Sequence, residues 1–229
     1  MLYTLEAAKA NIRNREGKRV FYLGKGDQLT SEARDYLNRE RIGILPADQA
    51  KPAQYRLLSG GYVTEKPEHM THLFGDVLVW KTHPRIAFRG AIDMLEAELL
   101  LCQMEAQPGL QTQLEDLLTL ARNIIRWEVM GEPAVEIDLC GMTQEQLRQR
   151  SHRPQEFYGQ PHFMPSAKDG RQILLLNRAR CAAREAELKA VAAFLDSEGN
   201  VTRQDLLTAL NRMSSMIYLL MIQEKAKLQ

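Results

Sequence analysis

The chain of 229 residues lacks an excess of either charge: 30 Lys and Arg stand against 29 Asp and Glu, a formal net charge of +1. That balance argues against a nucleic-acid or acidic-membrane partner held by bulk electrostatics, and leaves room for a local basic site for a phosphorylated ligand. It also lacks an apolar run long enough to span a bilayer and a secretory pattern, so a cytoplasmic protein is expected. Cysteine is scarce: Cys102, Cys140 and Cys181 are dispersed with no CxxC spacing. Such thiols suit a reducing compartment rather than a disulfide framework. Aromatic residues make up only 7%, and no internal repeat is present. Leu, Ala, Glu, Gln and Arg are plentiful instead, which favours helices.

Residues 1–68 read differently from the rest. Arg19, Val20, Phe21, Tyr22 and Leu23 are β-prone, and Gly24, Gly26 and Asp27 follow as turn residues. Thr30 or Ser31 can cap a short helix to about residue 40, and residues 42–45 read as a second strand. Residues 51–67, rich in Pro, Gly and polar side chains, read as a linker or mobile loop. The GKGD at 24–27 lacks the spacing of a phosphate-binding P-loop and reads as a plain turn. A small α/β appendage is expected here, and a helical domain over 69–229.

From Pro84 onward the pattern is helical. Helices are expected at 85–107, 110–130, 144–150, 171–198 and from 202 to near the end, with an exposed loop of functional character at 151–170. The fold class expected is mainly α: a five-helix up-and-down bundle with the N-terminal appendage.

No Gly or Pro interrupts 171–198, where Arg180, Arg184 and Glu187 share a helical face with Ile173, Leu176, Val191 and Phe194. A charge on a core-facing stripe costs roughly several kcal/mol unless it is partnered or lines a polar cavity. Two readings stand at this point: an intrahelical ion-pair ladder from Arg184 to Glu187, or a ligand site. Asp93, in the stripe Ile86, Gly90, Asp93, Ala97, Leu100 and Met104, poses the same question. So do Asn211 and Ser214, in the stripe Leu207, Asn211, Ser214, Tyr218 and Met221. The remaining seam of the last helix, Leu206, Leu210, Met213, Ile217 and Leu220, reads as core.

Five segments carry a family resemblance: LTSEARDYL (29–37), LVWKTHPRIAFRGAID (78–93), NIIRWEVMGEP (123–133), HFMPSAKDGRQILLLNRARCAAREAE (162–187) and LNRMSSMIYLLMI (210–222). In this order they resemble the ethanolamine-utilisation corrinoid adenosyltransferases of the EutT type. More remotely they resemble the PduO-type ATP:cob(I)alamin adenosyltransferases, which share R-x3-R-x2-E followed by L-N-R-x-S. The resemblance implies transfer of the 5′-deoxyadenosyl group of ATP, accompanied by Mg²⁺, to Co(I) of cobalamin. The cob(II)alamin that is reduced to Co(I) is implied to be bound without its lower axial ligand. A non-catalytic protein that binds and delivers corrinoid is the alternative, and a purely structural adapter is a third reading.

The resemblance also implies roles. Asp93 pairs with Arg180, Arg184 contacts ATP with Glu187 beside it, and Asn211 binds nucleotide. Lys81 and Arg85 lie near the triphosphate. His162 and Phe163 lie against the lower corrin face, where the related enzymes place a Phe at the position of His162; either side chain could exclude the axial ligand, and His162 could instead ligate cobalt itself. A homo-oligomer is implied, in first place a trimer with the site between subunits, together with a reductase partner and a link to a bacterial microcompartment. Two departures stand out. The segment KPEHMT (66–71) has no glycine where the PduO type has a glycine-rich phosphate loop, and LLSGGYVT (57–64) has no cysteine where EutT types carry a metal motif. His69 and His72 alone are too few for a tight zinc or iron site, so no dedicated metal site is expected.

Overall fold

The computed structural model describes residues 1–15, 17–49, 54–136 and 138–228 and divides into two compact units, 1–67 and 68–229. The first unit opens with β1 (Leu2–Tyr3), α1 (Leu5–Ala10), β2 (Ile12–Arg15), β3 (Lys18–Leu23) and β4 (Gln28–Leu29). It continues with α2 (Ser31–Arg39), β5 (Gly43–Pro46), β6 (Tyr55–Leu57) and β7 (Tyr62–Val63). β3 lies between antiparallel β2 and parallel β5, with Phe21 opposite both Ile12 and Ile44. A parallel pair needs a crossover, and α2 supplies it. Thr30 caps that helix by accepting the Ala33 N–H at 3.3 Å. Phe21, Ala33, Leu37 and Ile42 form the centre of this small core.

Residues 24–27 form a turn in which Asp27 accepts the Gly24 N–H at 3.2 Å and the Met1 ammonium at 2.7 Å. The expected linker begins outside the described residues, at 51–53. Farther on it carries the antiparallel pair β6–β7, with Tyr55 opposite Val63.

The second unit begins with a hairpin, β8 (Met70–Phe74) and β9 (Val77–Trp80). Four long helices follow: α3 (Pro84–Glu105), α4 (Pro108–Met130), α7 (Arg171–Phe194) and α8 (Gln204–Ala226). Between α4 and α7 lie α5 (Gln144–His152) and the short α6 (Pro154–Tyr158). The long helices pack in a closed ring, α3 on α4, α4 on α8, α8 on α7 and α7 on α3. The mainly α class therefore holds, and α6 is an addition inside the expected 151–170 loop. Helix ends follow local chemistry. Pro84 and Pro108 occupy first turns, where the missing N–H has no helical partner to lose. Gly131 ends α4 at φ 69°, a conformation costly for a side chain with a Cβ. Thr143 and Gln146 form a capping box at α5.

Two expected faces are corrected. On α3 the core side is Phe88, Ile92, Leu95, Leu99 and Cys102. The stripe with Asp93 points outward: Gly90, Asp93, Ala97, Leu100 and Met104 are exposed and Ile86 is half-buried. On α7 the buried row beyond Leu176 is Ala179, Ala183, Ala186 and Ala190. Arg180, Arg184 and Glu187 lie beside that row, so they interrupt no core stripe. Small side chains let neighbouring helices approach closely, and the longer ones beside them then reach past the contact to solvent. The α8 seam is core as expected, with Leu206, Leu210, Met213, Ile217 and Leu220 all at 0% exposure.

Candidate functional site

α7, α8, the end of α5 and the segment 162–165 enclose a groove of about 540 Å³. α7 contributes Asn177, Arg180 and Arg184 at i, i+3 and i+7. α8 contributes Asn211, Ser214, Ser215 and Tyr218, and His162, Phe163, Met164 and Pro165 form the opposing wall. The structure thus brings together Arg180, Arg184, Asn211, His162 and Phe163.

Among the described residues no carboxylate lines this groove. Among the described residues neither Arg180 nor Arg184 has an ion-pair partner. The ladder from Arg184 to Glu187 does not form. Glu187 instead accepts a hydrogen bond from Asn211 Nδ2 at 3.3 Å, which orients the amide on the groove floor. Two uncompensated guanidiniums beside amide and hydroxyl groups suit a polyanion such as a phosphate chain.

The wall is held by α8. Tyr218 Oη accepts the Phe163 N–H at 3.1 Å, donates to the Phe163 carbonyl at 3.3 Å and lies 3.3 Å from His162 Nδ1. The rings of His162 and Tyr218 stack at 5.6 Å and 9°, and the Arg180 guanidinium sits 5.0 Å from the Tyr218 centroid. Farther along, Lys225 Nζ donates to Asp169 Oδ1 at 2.5 Å and lies 5.9 Å from the Phe163 ring centroid. The Lys225 ammonium, with the Ser166 N–H, holds the Asp169 carboxyl below the usual range.

The remaining expected site residues lie elsewhere. Asp93 is exposed on α3 and makes no ion pair with Arg180 within the chain. Lys81 is exposed, and its N–H donates to the His69 carbonyl at 2.9 Å beside the base of the hairpin. Arg85 is committed to Glu128: its Nε donates to Oε1 at 2.5 Å and a second nitrogen to the Glu128 carbonyl at 3.0 Å. Arg89 Nε takes the other carboxylate oxygen at 2.6 Å. Glu128 is fully buried, and its role was missed in the sequence. The signal was there, since Leu117, Ala121, Ile124 and Glu128 form one stripe of α4. In the sequence Tyr218 likewise stands out only as a stripe position of α8.

His83 caps α3 by accepting the Arg85 N–H on Nδ1 at 3.2 Å. Burial, then the charges of Arg85 and Arg89, lower its pKa from the ordinary 6.5. Among the described residues no group of three or more His, Cys, Asp and Glu could hold a metal ion.

Residues 61–224 match the family described as cobalamin adenosyltransferase. The chain is 36% identical over 242 aligned residues to the corrinoid adenosyltransferase EutT of Salmonella typhimurium, covering 96% of this chain and 90% of that protein. It is 36% identical over 160 residues to EutT of Escherichia coli K12, covering 70% of this chain and 60% of that one. A solved structure of a variant PduO-type ATP:corrinoid adenosyltransferase from Lactobacillus reuteri, complexed with cobalamin and ATP, is 19% identical with a TM-score of 0.49. The match covers 77% of this chain and 89% of that one.

Proposed function

The chain belongs to the cobalamin adenosyltransferase family, and from that premise we propose that it transfers the 5′-deoxyadenosyl group of ATP to the cobalt of a reduced corrinoid, as the EutT-type enzymes are named for doing. The lone pair of Co(I) forms the new Co–C5′ bond, the C5′–O bond breaks, and the phosphate chain leaves with that electron pair. The protein's task is to hold two large substrates in line, exclude water and stabilise the departing charge.

The observation that carries this reading is a groove with Arg180 and Arg184 on one side, without an ion-pair partner among the described residues of the chain, and His162 and Phe163 on the other. Arg184 takes the phosphate chain with Arg180 beside it, Asn211 with Glu187 holds the nucleotide, and His162 and Phe163 lie against the lower corrin face. Mg²⁺ would arrive with ATP and would offset the charge of its phosphates.

The enzyme works as a homo-oligomer, with a trimer in first place and the site shared between subunits. The exposed α3 face supports this: Met94, Leu100, Leu101 and Met104 are 58%, 45%, 40% and 81% exposed, an apolar patch around Asp93. In this arrangement Asp93 of one subunit meets Arg180 of the next, and Lys81 approaches the phosphates, whereas Arg85 stays with Glu128. Among the described residues no helix is long and apolar enough to cross a membrane. A cytoplasmic enzyme, served by a reductase and associated with an ethanolamine microcompartment, fits the EutT likeness.

The test is anaerobic adenosylation of chemically reduced cob(I)alamin with Mg-ATP, followed by visible absorbance. Conversion to adenosylcobalamin that Arg184→Ala abolishes is the expected result. Corrinoid binding without turnover would replace this reading with a delivery protein.

A further inference from the structure

One side chain of α8 touches both walls of the groove. The face of Tyr218 carries the Arg180 guanidinium at 5.0 Å and the stacked His162 ring at 5.6 Å, while its hydroxyl reaches three atoms of the facing segment. A hydroxyl has one proton and two lone pairs, so the three contacts can be assigned. The Phe163 N–H at 3.1 Å takes one lone pair. The Phe163 carbonyl at 3.3 Å, which offers only lone pairs, takes the proton. The second lone pair then faces His162 Nδ1 at 3.3 Å, and that contact is a hydrogen bond only when Nδ1 carries hydrogen. A neutral imidazole protonated there has its free lone pair on Nε2.

We propose that Tyr218 is a positioning residue for the adenosyl transfer: its hydroxyl fixes the Phe163 backbone and holds His162 as the Nδ1–H tautomer, and its ring supports Arg180. The aromatic wall and the cationic strip therefore share one support. The hydroxyl serves only the wall, whereas the ring serves both. This division rests on the functional reading above in one respect, that the wall meets corrinoid and the arginine strip borders ATP.

Two measurements test it, the first independent of any activity. In ¹⁵N-histidine-labelled protein the ring nitrogens of His162, identified by its loss in His162→Ala, report which one is protonated. The Nδ1–H form is expected in the wild type, with Tyr218→Phe reverting to the commoner Nε2–H form. A wild type already in the Nε2–H form overturns the assignment. The second is a split of kinetic constants at matched folded fraction, verified by thermal unfolding. Tyr218→Phe removes all three hydrogen bonds, so KM for corrinoid rises about tenfold and KM for ATP stays constant. Tyr218→Leu also removes the support of Arg180 and raises both. Equal rises in Tyr218→Phe, or none, overturn the positioning role. A wild type with the Nδ1–H tautomer but no turnover would overturn the adenosyltransferase reading and leave the tether standing.

Discussion

Arg85 and Glu128 are joined twice, by side chain at 2.5 Å and through the Glu128 carbonyl at 3.0 Å, at a position where the carboxylate has no exposure at all. With Arg89 on the second oxygen, the buried charge is bracketed by two guanidiniums, and Arg89 extends the link to the Leu73 carbonyl at 2.7 Å. The cluster therefore ties α3 to α4 and to the hairpin.

Glu128→Ala leaves both arginines without their carboxylate partner and only with backbone carbonyls. Breaking a buried pair from one side costs about 3 kcal/mol or more, since the surviving charges lose their compensation. Urea unfolding of the variant is expected to show that loss with an unchanged m-value. A change within about 0.5 kcal/mol, the range of an ordinary surface substitution, would show that the cluster is solvated in solution.

Acid acts on the same corner through His83. Its folded pKa lies below the ordinary 6.5, so the unfolded chain binds the proton more readily. Its contribution to stability is fully present above about 6.5 and is lost as pH falls through the lower folded value. Protonation of Nδ1 removes the acceptor for the Arg85 N–H and adds a charge beside Arg85 and Arg89. The thermal midpoint of the wild type is expected to fall between pH 7 and pH 5 by more than that of His83→Asn, which retains a capping acceptor without titrating. Parallel curves would rule this out.

Asp169 and Lys225 give a second test, confined to stronger acid. The Asp169 carboxyl is held below 3.8 by Lys225 and the Ser166 N–H, so its contribution is present above that value and lost as pH falls through the folded one. Asp169→Asn is expected to loosen the segment 162–169 while α7 and α8 stay folded. Hydrogen exchange checks this: amides of that segment, Phe163 included, exchange faster in the variant, and those in the middle of α8 do not. Uniform acceleration would indicate global destabilisation instead.

How far the sequence could be read follows from what periodicity encodes. The existence and near-ends of α3, α4 and α5 were legible because Pro84, Pro108, Gly131 and Thr143 are chemical punctuation. The orientation of α3 was not. It is apolar on two faces, and a 3.6-residue period cannot say which meets the core of its own chain. On α7 the row Ala179, Ala183, Ala186 and Ala190 was passed over, since alanine suits either environment. The pairing of Asp93 with Arg180 was expected to resolve two buried charges, yet Asp93 is exposed and Arg180 is only half-buried beside that row. Arg180, Arg184, Asn211, His162 and Phe163 do converge, because family spacing preserves which residues face one groove. Tyr218 and Glu128 were missed because each sits in an apolar stripe, where a single polar atom looks like tolerated noise until its partners are seen.

The exposed stripe of α3 leads to the last prediction. If Leu100 and Met104, 45% and 81% exposed in the single chain, are covered by a second copy, a charge there opposes assembly without disturbing the inner face. Leu100→Glu is expected to shift the light-scattering mass toward that of one chain and to lower adenosylation, with the helical circular-dichroism signal retained. An unchanged mass would remove α3 from the interface. Sharing of the site is a separate question, settled by mixing two inactive variants. Subunits with Asp93→Ala still offer Arg184, and subunits with Arg184→Ala still offer Asp93. In a closed ring assembled at random from equal amounts, about one quarter of the sites receive both intact residues. Co-refolded variants should therefore recover about a quarter of wild-type activity. A site contained within one subunit recovers none, whatever the oligomer.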